Sequence, residues 1–357
     1  MKPLAGIKVV EMARILAGPW AGQTLADLGA EVIKVESPSG DDTRQWGPPW
    51  IEDGDTRTAA YFYACNRGKR SVVLDFSKPE DHARLVEMIA GADVFIENFK
   101  VGGLEKYGLD YAALSARFPE LIYCSVTGFG QTGPYAHRAG YDVMIQAMSG
   151  VMDITGSPDG PPQKMGVAFA DIFTGLYSTI AIQAALRQRD KTGRGAHIDM
   201  ALFDCMVGAL GNQAMNALVT GETPKRLGNA HPNIVPYQDF PASDGHLVIA
   251  CGNDAQFSRL CTVLDFTPED AERFATNADR VSQRDDLVEK ISSITRKRSR
   301  ADLLADLEKV GIPAGPIQTV LEALNDPQIQ HRGLVDRAGN TPQVLNPIKI
   351  NPTPYSQ

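Results

Sequence analysis

Disulfide frames and zinc fingers are excluded first. The 357-residue chain has only five cysteines (Cys65, Cys124, Cys205, Cys251, Cys261), odd in number, scattered and without a CxxC pair. Reduced thiols and a cytoplasmic setting are the expectation. Histidine is equally scarce, six in all, with no HExxH spacing, so no metal is expected. P-loop and GxSxG motifs are missing too, which removes nucleotide triphosphate cradles and serine-hydrolase elbows. Met1-Lys2-Pro3-Leu4 leads into a strand-like segment with no apolar h-region, so no secretory leader is expected. No apolar run reads as a membrane span, so no membrane is expected as a partner. There is no cationic excess: 35 Lys and Arg face 43 Asp and Glu, a net charge of −8. That argues against nucleic acid as a partner, while a locally basic pocket could still hold an anionic ligand.

Apolar residues make up 43% of the chain, enough for one large core or two ordinary ones. Ile7–Glu11, Glu31–Val35, Ser71–Leu74, Asp93–Ile96 and Leu121–Val126 read as β-branched strands, with helical stretches at Ala21–Leu28, Pro79–Ala90 and Tyr111–Phe118. That alternation predicts an α/β fold with a mostly parallel sheet. Gly140–Gly150 reads as helical, Ile172–Arg189 as a long amphipathic helix ended by Gly193, and His197–Met200 as a strand before a helix to about 218. Thr220–Pro232 reads as a linker. Val235–Phe240 and His246–Ala250 flank the turn Ala242-Ser243-Asp244-Gly245, a hairpin signal, and helices follow near 254–264, 282–294 and 299–309. A second, smaller α+β domain is the expectation.

The first strand-turn-helix unit invites a dinucleotide reading, with Glu36 ending the second strand. Its turn, Leu16-Ala17-Gly18-Pro19-Trp20-Ala21-Gly22, does not fit GxGxxG, and Pro19 removes a backbone N–H from the loop that would hold a pyrophosphate. His197 and Asp199 share a strand face without a third ligand and read as structural. Thr127–Pro134 is a glycine-rich loop after a strand, where binding loops lie in parallel sheets. Asp171 precedes a helix and reads as its N-cap. A carboxylate held ionised there, beside small residues, also meets the requirements of a nucleophile.

In order along the chain, several segments resemble the class III CoA-transferase family, also called the CaiB/BaiF or formyl-CoA transferase family. They are Leu16-Ala17-Gly18-Pro19, Gly40-Asp41-Asp42-Thr43-Arg44, Asn66-Arg67-Gly68-Lys69-Arg70-Ser71, Val94–Phe99, Gly128–Pro134, Ala139-Gly140-Tyr141-Asp142, Ala170-Asp171, Gly252–Phe257 and Ile312–Ile317. The resemblance implies a large Rossmann-like domain from residues 1–219 and 319–357, a small α+β domain over 220–318, and an interlocked-ring homodimer. It implies no permanently bound cofactor, with coenzyme A and acyl-CoA as substrates beside a carboxylic acid.

Residue by residue, it places the nucleophile on Asp171. CoA contacts fall on Leu16, Ala17, Leu74, Asp75, Phe76, Ser77, Asn98, Phe99, Lys100, Lys106, Arg138, Ala139, Gly140 and Tyr141. Gly252, Asn253 and Gln256 match the cover over the intermediate, although the family's glycine run is replaced there. Glu36 is followed by Ser37-Pro38 where relatives carry a phosphate-binding arginine, which leaves Arg44, Lys69 or Lys100 to supply the charge. Asp41–Pro49 and His231–Gln238 look similar to transferases that use succinyl-CoA and dicarboxylic acids, with Arg44 or Arg67 facing a distal carboxylate. One branch of the family racemises 2-methylacyl-CoA esters with a His/Asp pair. Its histidine position holds Tyr141, and a phenol, which ordinarily titrates at about 10, is poorly matched to that proton transfer. Transfer is therefore expected ahead of racemisation, and a non-catalytic CoA-binding protein is the third reading.

Overall fold

The computed structural model describes residues 2–53, 56–339 and 341–350. Two compact units divide the chain. The first comprises residues up to Met152, Lys164–Pro224 and those from Gln328 on; the second comprises Asp153–Gln163 and Lys225–Pro327. The short Asp153–Gln163 excursion is not visible in the sequence pattern.

The first unit is built on six strands: β1 (Lys8–Glu11), β2 (Glu31–Glu36), β3 (Lys69–Val73), β4 (Val94–Glu97), β5 (Ile122–Thr127) and β6 (Ala196–Ala201). Their order is β3-β2-β1-β4-β5-β6, and every pair is parallel. The Rossmann-like expectation is met in this order, which reverses direction between β1 and β4. Strands such as Val94-Phe95-Ile96 are buried along their length, as befits a sheet covered on both faces. One face packs Val9, Ile96, Ile122 and Val126 against helices α1 (Ala17–Asp27) and α5 (Phe169–Thr192). The other packs Val10, Phe95 and Tyr123 against α2 (Pro79–Ala90) and α3 (Tyr111–Arg117). A seven-residue helix, α4 (Asp142–Met148), lies between α3 and α5 in the chain.

Helix ends follow local chemistry. Pro79 with Glu80 and Asp81 opens α2, and Gly193 closes α5 in the left-handed conformation, φ 66°. α1 begins one turn earlier than the apolar pattern suggests, because Pro19 sits in the first turn, where no intrahelical N–H is needed. α5 also starts earlier than expected, at Phe169. It is not amphipathic: Leu176, Tyr177 and Ile180 face outward at 39%, 44% and 61% exposure. Among the described residues α5 alone is long and apolar enough to cross a membrane by length and composition. Gly175 lets it pack closely on α1, since a Cβ there would meet Ala17 O at 2.7 Å.

The second unit has a three-stranded antiparallel sheet in which Gly245–Ala250 lies between Tyr237–Ala242 and Ala314–Pro316. The expected hairpin is present, with a two-residue turn at Ser243-Asp244. Phe240, Leu247, Phe257, Leu260, Leu287 and Leu303 belong to its own core. All five cysteines are free and buried.

Candidate active site

At the carboxyl edge of the six-stranded sheet, where strand order reverses, lies a cavity of about 270 Å³. Crevices of this kind are where open α/β sheets bind ligands. Residues 14–17 after β1, Asn98, Phe99 and Lys100 after β4, Thr127 and Gly128 after β5, and residues 136–141 form its walls, with Asp171 among the lining groups.

Several short-range devices build those walls. The Asn98 amide accepts from Arg14 N (2.9 Å) and donates to Arg14 O (2.8 Å), tying the loops after β1 and β4 together. Ile15 sits at φ 74°, a strained conformation for a β-branched residue. Its N–H donates to the Asp41 carboxylate at 3.2 Å, and Asp41 is held by the buried Lys34 ammonium at 2.9 Å. Asp42 pairs with the Arg14 guanidinium at 2.8 Å. Thus the Gly40–Arg44 motif acts as a clamp on residues 14 and 15. Opposite, Gly128 and Gly140 cross backbone to backbone, and a Cβ on either would lie 2.6 or 2.4 Å from the other's Cα. Asp199 accepts from Gln131 N at 3.0 Å and so anchors the glycine-rich loop. His197 shares a hydrogen bond with Ser125 Oγ (3.0 Å) and stacks on Tyr111, a structural arrangement as expected.

Asp171 differs from the sequence reading in two ways. It is the third residue of α5, whose N-cap position is Ala168, so it is not an N-cap. The capping carboxylate comes instead from Asp142, whose Oδ1 accepts from Ala170 N at 2.9 Å. Nor is Asp171 held ionised by the helix. Burial first, and the negative charge of Asp142 second, raise its carboxyl to about 7. The group is half-buried, lines the cavity, and receives no hydrogen bond from any described residue.

Of the expected CoA contacts, Leu16, Ala17, Asn98, Phe99, Lys100, Arg138, Ala139, Gly140 and Tyr141 converge on this cavity, together with Arg14 and His137, which sequence reasoning did not single out. Leu74 is instead a core residue at 1% exposure. Asp75, Phe76, Ser77 and Lys106 do not line the cavity. Phe76 packs edge-on against Phe99 and Tyr107, so this group flanks it through the Phe99 ring.

The three cations offered for the CoA phosphate separate clearly. Lys69 is buried, pairs with Glu11 at 2.9 Å and donates to Pro19 O and Asn66. Arg44 forks onto Glu36 at 2.8 and 2.7 Å. Only Lys100 is exposed at the cavity. Arg67, like Arg44, is committed elsewhere: it forks onto Asp27 (3.0 and 2.6 Å) and donates to Val344 O. Neither arginine lines the Asp171 cavity. Gly252, Asn253 and Gln256 belong to the second unit. There they close a capping loop, with Asn253 Oδ1 accepting from Gln256 N and Gln256 Oε1 from Gly252 N. Among the described residues no cluster of His, Cys, Asp and Glu could hold a metal ion.

Residues 4–357 match the model of CoA-transferase family III. The chain is 55% identical over 99% of its length to succinate–glutarate CoA-transferase of Agrobacterium fabrum, covering 90% of that protein. It is 45% identical over 94% of its length to the succinyl-CoA:glutarate CoA-transferase of Mus musculus, covering 76% of it. The crystal structure of a CaiB/BaiF family protein from Brucella suis, 61% identical, superimposes with a TM-score of 0.88 over 98% of this chain and 93% of that one. The chain belongs to CoA-transferase family III and is an enzyme of the CoA-transferase type.

Proposed function

We propose that this transferase exchanges CoA between dicarboxylic acids, with succinyl-CoA or a similar dicarboxylyl-CoA as donor and Asp171 as the covalent carrier. The observation that carries the reading is a half-buried, unpaired carboxylate on the wall of a cavity with a basic side. Lys100, His137 and Arg138 supply that basic side, beside Arg14, which is paired with Asp42; it is matched to CoA phosphates and to a second carboxylate. Both curated relatives are named for succinate or succinyl-CoA and glutarate, which supports dicarboxylates as the substrate class.

In this mechanism an Asp171 oxygen attacks the thioester carbonyl. The C–S bond breaks, leaving an aspartyl-acyl anhydride and CoA thiolate. The thiolate then attacks Cγ of Asp171, expels the donor carboxylate and forms an aspartyl-CoA thioester. An acceptor carboxylate attacks that thioester to give a new anhydride, and the thiolate takes its acyl group as product. No water or net proton is consumed, and one hard exchange is split into easier steps. A raised Asp171 makes the better nucleophile once ionised.

We also assign the outward apolar side chains to an interface with a second copy. Met215, Leu218 and Val219 are 58%, 78% and 79% exposed on the helix Asn212–Thr220, which buries none of its residues. Sedimentation should give a dimer. The decisive experiment is intact-mass analysis after incubation with succinyl-CoA and hydroxylamine trapping. A hydroxamate on Asp171 is expected in the wild type and absent from Asp171→Asn. An adduct elsewhere, or exchange activity in Asp171→Asn, refutes the assignment.

A further inference from the structure

Asp142 carries none of the roles that the family resemblance assigns, yet it is the side chain most closely tied to the start of α5. Its Oδ1 accepts the Ala170 N–H at 2.9 Å, one residue before Asp171. Its Oδ2 accepts from Gln146 Nε2 at 2.7 Å. Gln146 is fully buried, and its Oε1 in turn accepts the Met165 N–H at 2.8 Å. That bond fixes which way the Gln146 amide points, so its NH₂ must face Asp142. A two-residue network thus holds the chain from Met165 to Ala170, the segment that delivers Asp171. The helix has no cap of its own, since Ala168 offers no side-chain acceptor.

We propose that Asp142 is a positioning residue for Asp171: its carboxylate fixes the first turn of α5 from outside the helix and sets a second negative charge beside the nucleophile. The inference rests on Asp171 being the covalent carrier. Two carboxylates that face one another cannot ionise independently, and the one without hydrogen bonds bears the cost. Asp142 accepts at both oxygens, while Asp171 receives no donor. The partition follows from that asymmetry, and it agrees with Asp142 as the second contributor, after burial, to the raised Asp171 carboxyl. The other ionisable groups around Asp171 are Tyr61, which Asp171 itself pushes up, and the cavity residues Arg14, Lys100, His137, Arg138 and Tyr141. Asp142 is the only carboxylate in that set. An unpaired, basic carboxylate is a stronger nucleophile than one quenched by helix N–H donors, which explains why the cap comes from a neighbour and not from the nucleophile.

The test compares Asp142→Asn and Asp142→Ala with the wild type, using the pH profile of kcat/KM for CoA exchange. The asparagine can still accept from Ala170 N but carries no charge, and its NH₂ gives up the bond from Gln146 Nε2. Its acid limb should move down by about half to one pH unit, with KM for the acyl-CoA within a few-fold of wild type. The alanine loses both functions. It should show the same displacement and a kcat about ten-fold lower or worse. An acid limb of Asp142→Asn that coincides with the wild type overturns the proposal, and so does a wild-type kcat in Asp142→Ala. If the alanine variant does not fold, the asparagine acid limb decides alone. Trapping on Asp171 is scored separately, so that loss of the nucleophile assignment and loss of the positioning role are told apart.

Discussion

Asp171→Asn should abolish exchange and, at the same time, stabilise the protein in a pH-dependent way. An aspartate ordinarily titrates near 4, whereas Asp171 is raised to about 7. The folded protein therefore holds this proton more tightly than the unfolded chain. Stability is full where both states are protonated, below about pH 4, and falls as pH rises towards 7, after which the loss is constant. Each pH unit of that interval is worth about 1.4 kcal/mol, so ionised Asp171 costs the fold at most about 4 kcal/mol. Water admitted by the cavity screens the charge, and about 2 kcal/mol is a realistic remainder. Roughly a third of the penalty is present at pH 5 and all of it at pH 8. Asparagine keeps the shape and removes the charge. Its melting temperature should exceed that of the wild type by about 1 °C at pH 5 and about 3 °C at pH 8, taking about 1.3 °C per kcal/mol for a chain of this size. Scanning calorimetry of both proteins at the two pH values reads the difference directly. A gap that is the same at pH 5 and pH 8, or that favours the wild type at pH 8, refutes the reasoning.

Arg44→Met should lower stability by about 1–3 kcal/mol at pH 7 in urea titrations, because it strands the nearly buried Glu36 carboxylate. Burial alone would raise Glu36, but the Arg44 fork, the Ser71 hydroxyl and the Asp41 N–H hold it down to about 2. That stability is present above about pH 4.5 and lost as pH falls towards 2, so the gap between wild type and variant should close over that window. Gly128→Ala should raise KM for acyl-CoA at least several-fold and lower the melting temperature, since its Cβ would sit 2.6 Å from Gly140 Cα in a backbone crossing that cannot yield. Unchanged kinetics would refute the close packing. Lys100→Ala should raise KM for CoA esters with kcat nearly intact, and the difference should shrink as salt is raised from low to about 0.5 M. A loss confined to kcat would argue against a phosphate contact.

Much of the fold was legible in the sequence. Continuous β-branched runs such as Glu31–Val35 and Leu121–Val126 fall within one residue of β2 and β5, because strands buried on both faces need apolar side chains at nearly every position. α2 starts and ends where Pro79 and Ala90 indicate. Three helices went unread although their signals are present: Thr267 before Pro268, and the capping boxes Thr276–Asp279 and Thr319–Glu322. The hairpin Trp50–Asp53 with Thr56–Ala59 is mostly polar and left no apolar period to find.

The candidate site was legible as a set of segments but not as a charge balance. Arg44, Arg67 and Lys69 look like free cations in the sequence, and each is claimed by a carboxylate of another element: Glu36, Asp27 and Glu11. Arg14 and His137 had no motif to mark them, and only the meeting of loops at the β1–β4 reversal makes them cavity residues.

By itself, then, the sequence determined which segments become strands and helices, through apolar spacing and caps that act over a few residues. It also determined the family, through short motifs kept in order. The tertiary structure alone decided which ionisable groups are spent on each other and which remain unpaired. Asp171 and Asp142 are 29 positions apart in the chain, and whether a carboxylate is capped, buried or faced by another charge depends on neighbours that only folding brings within a few ångströms.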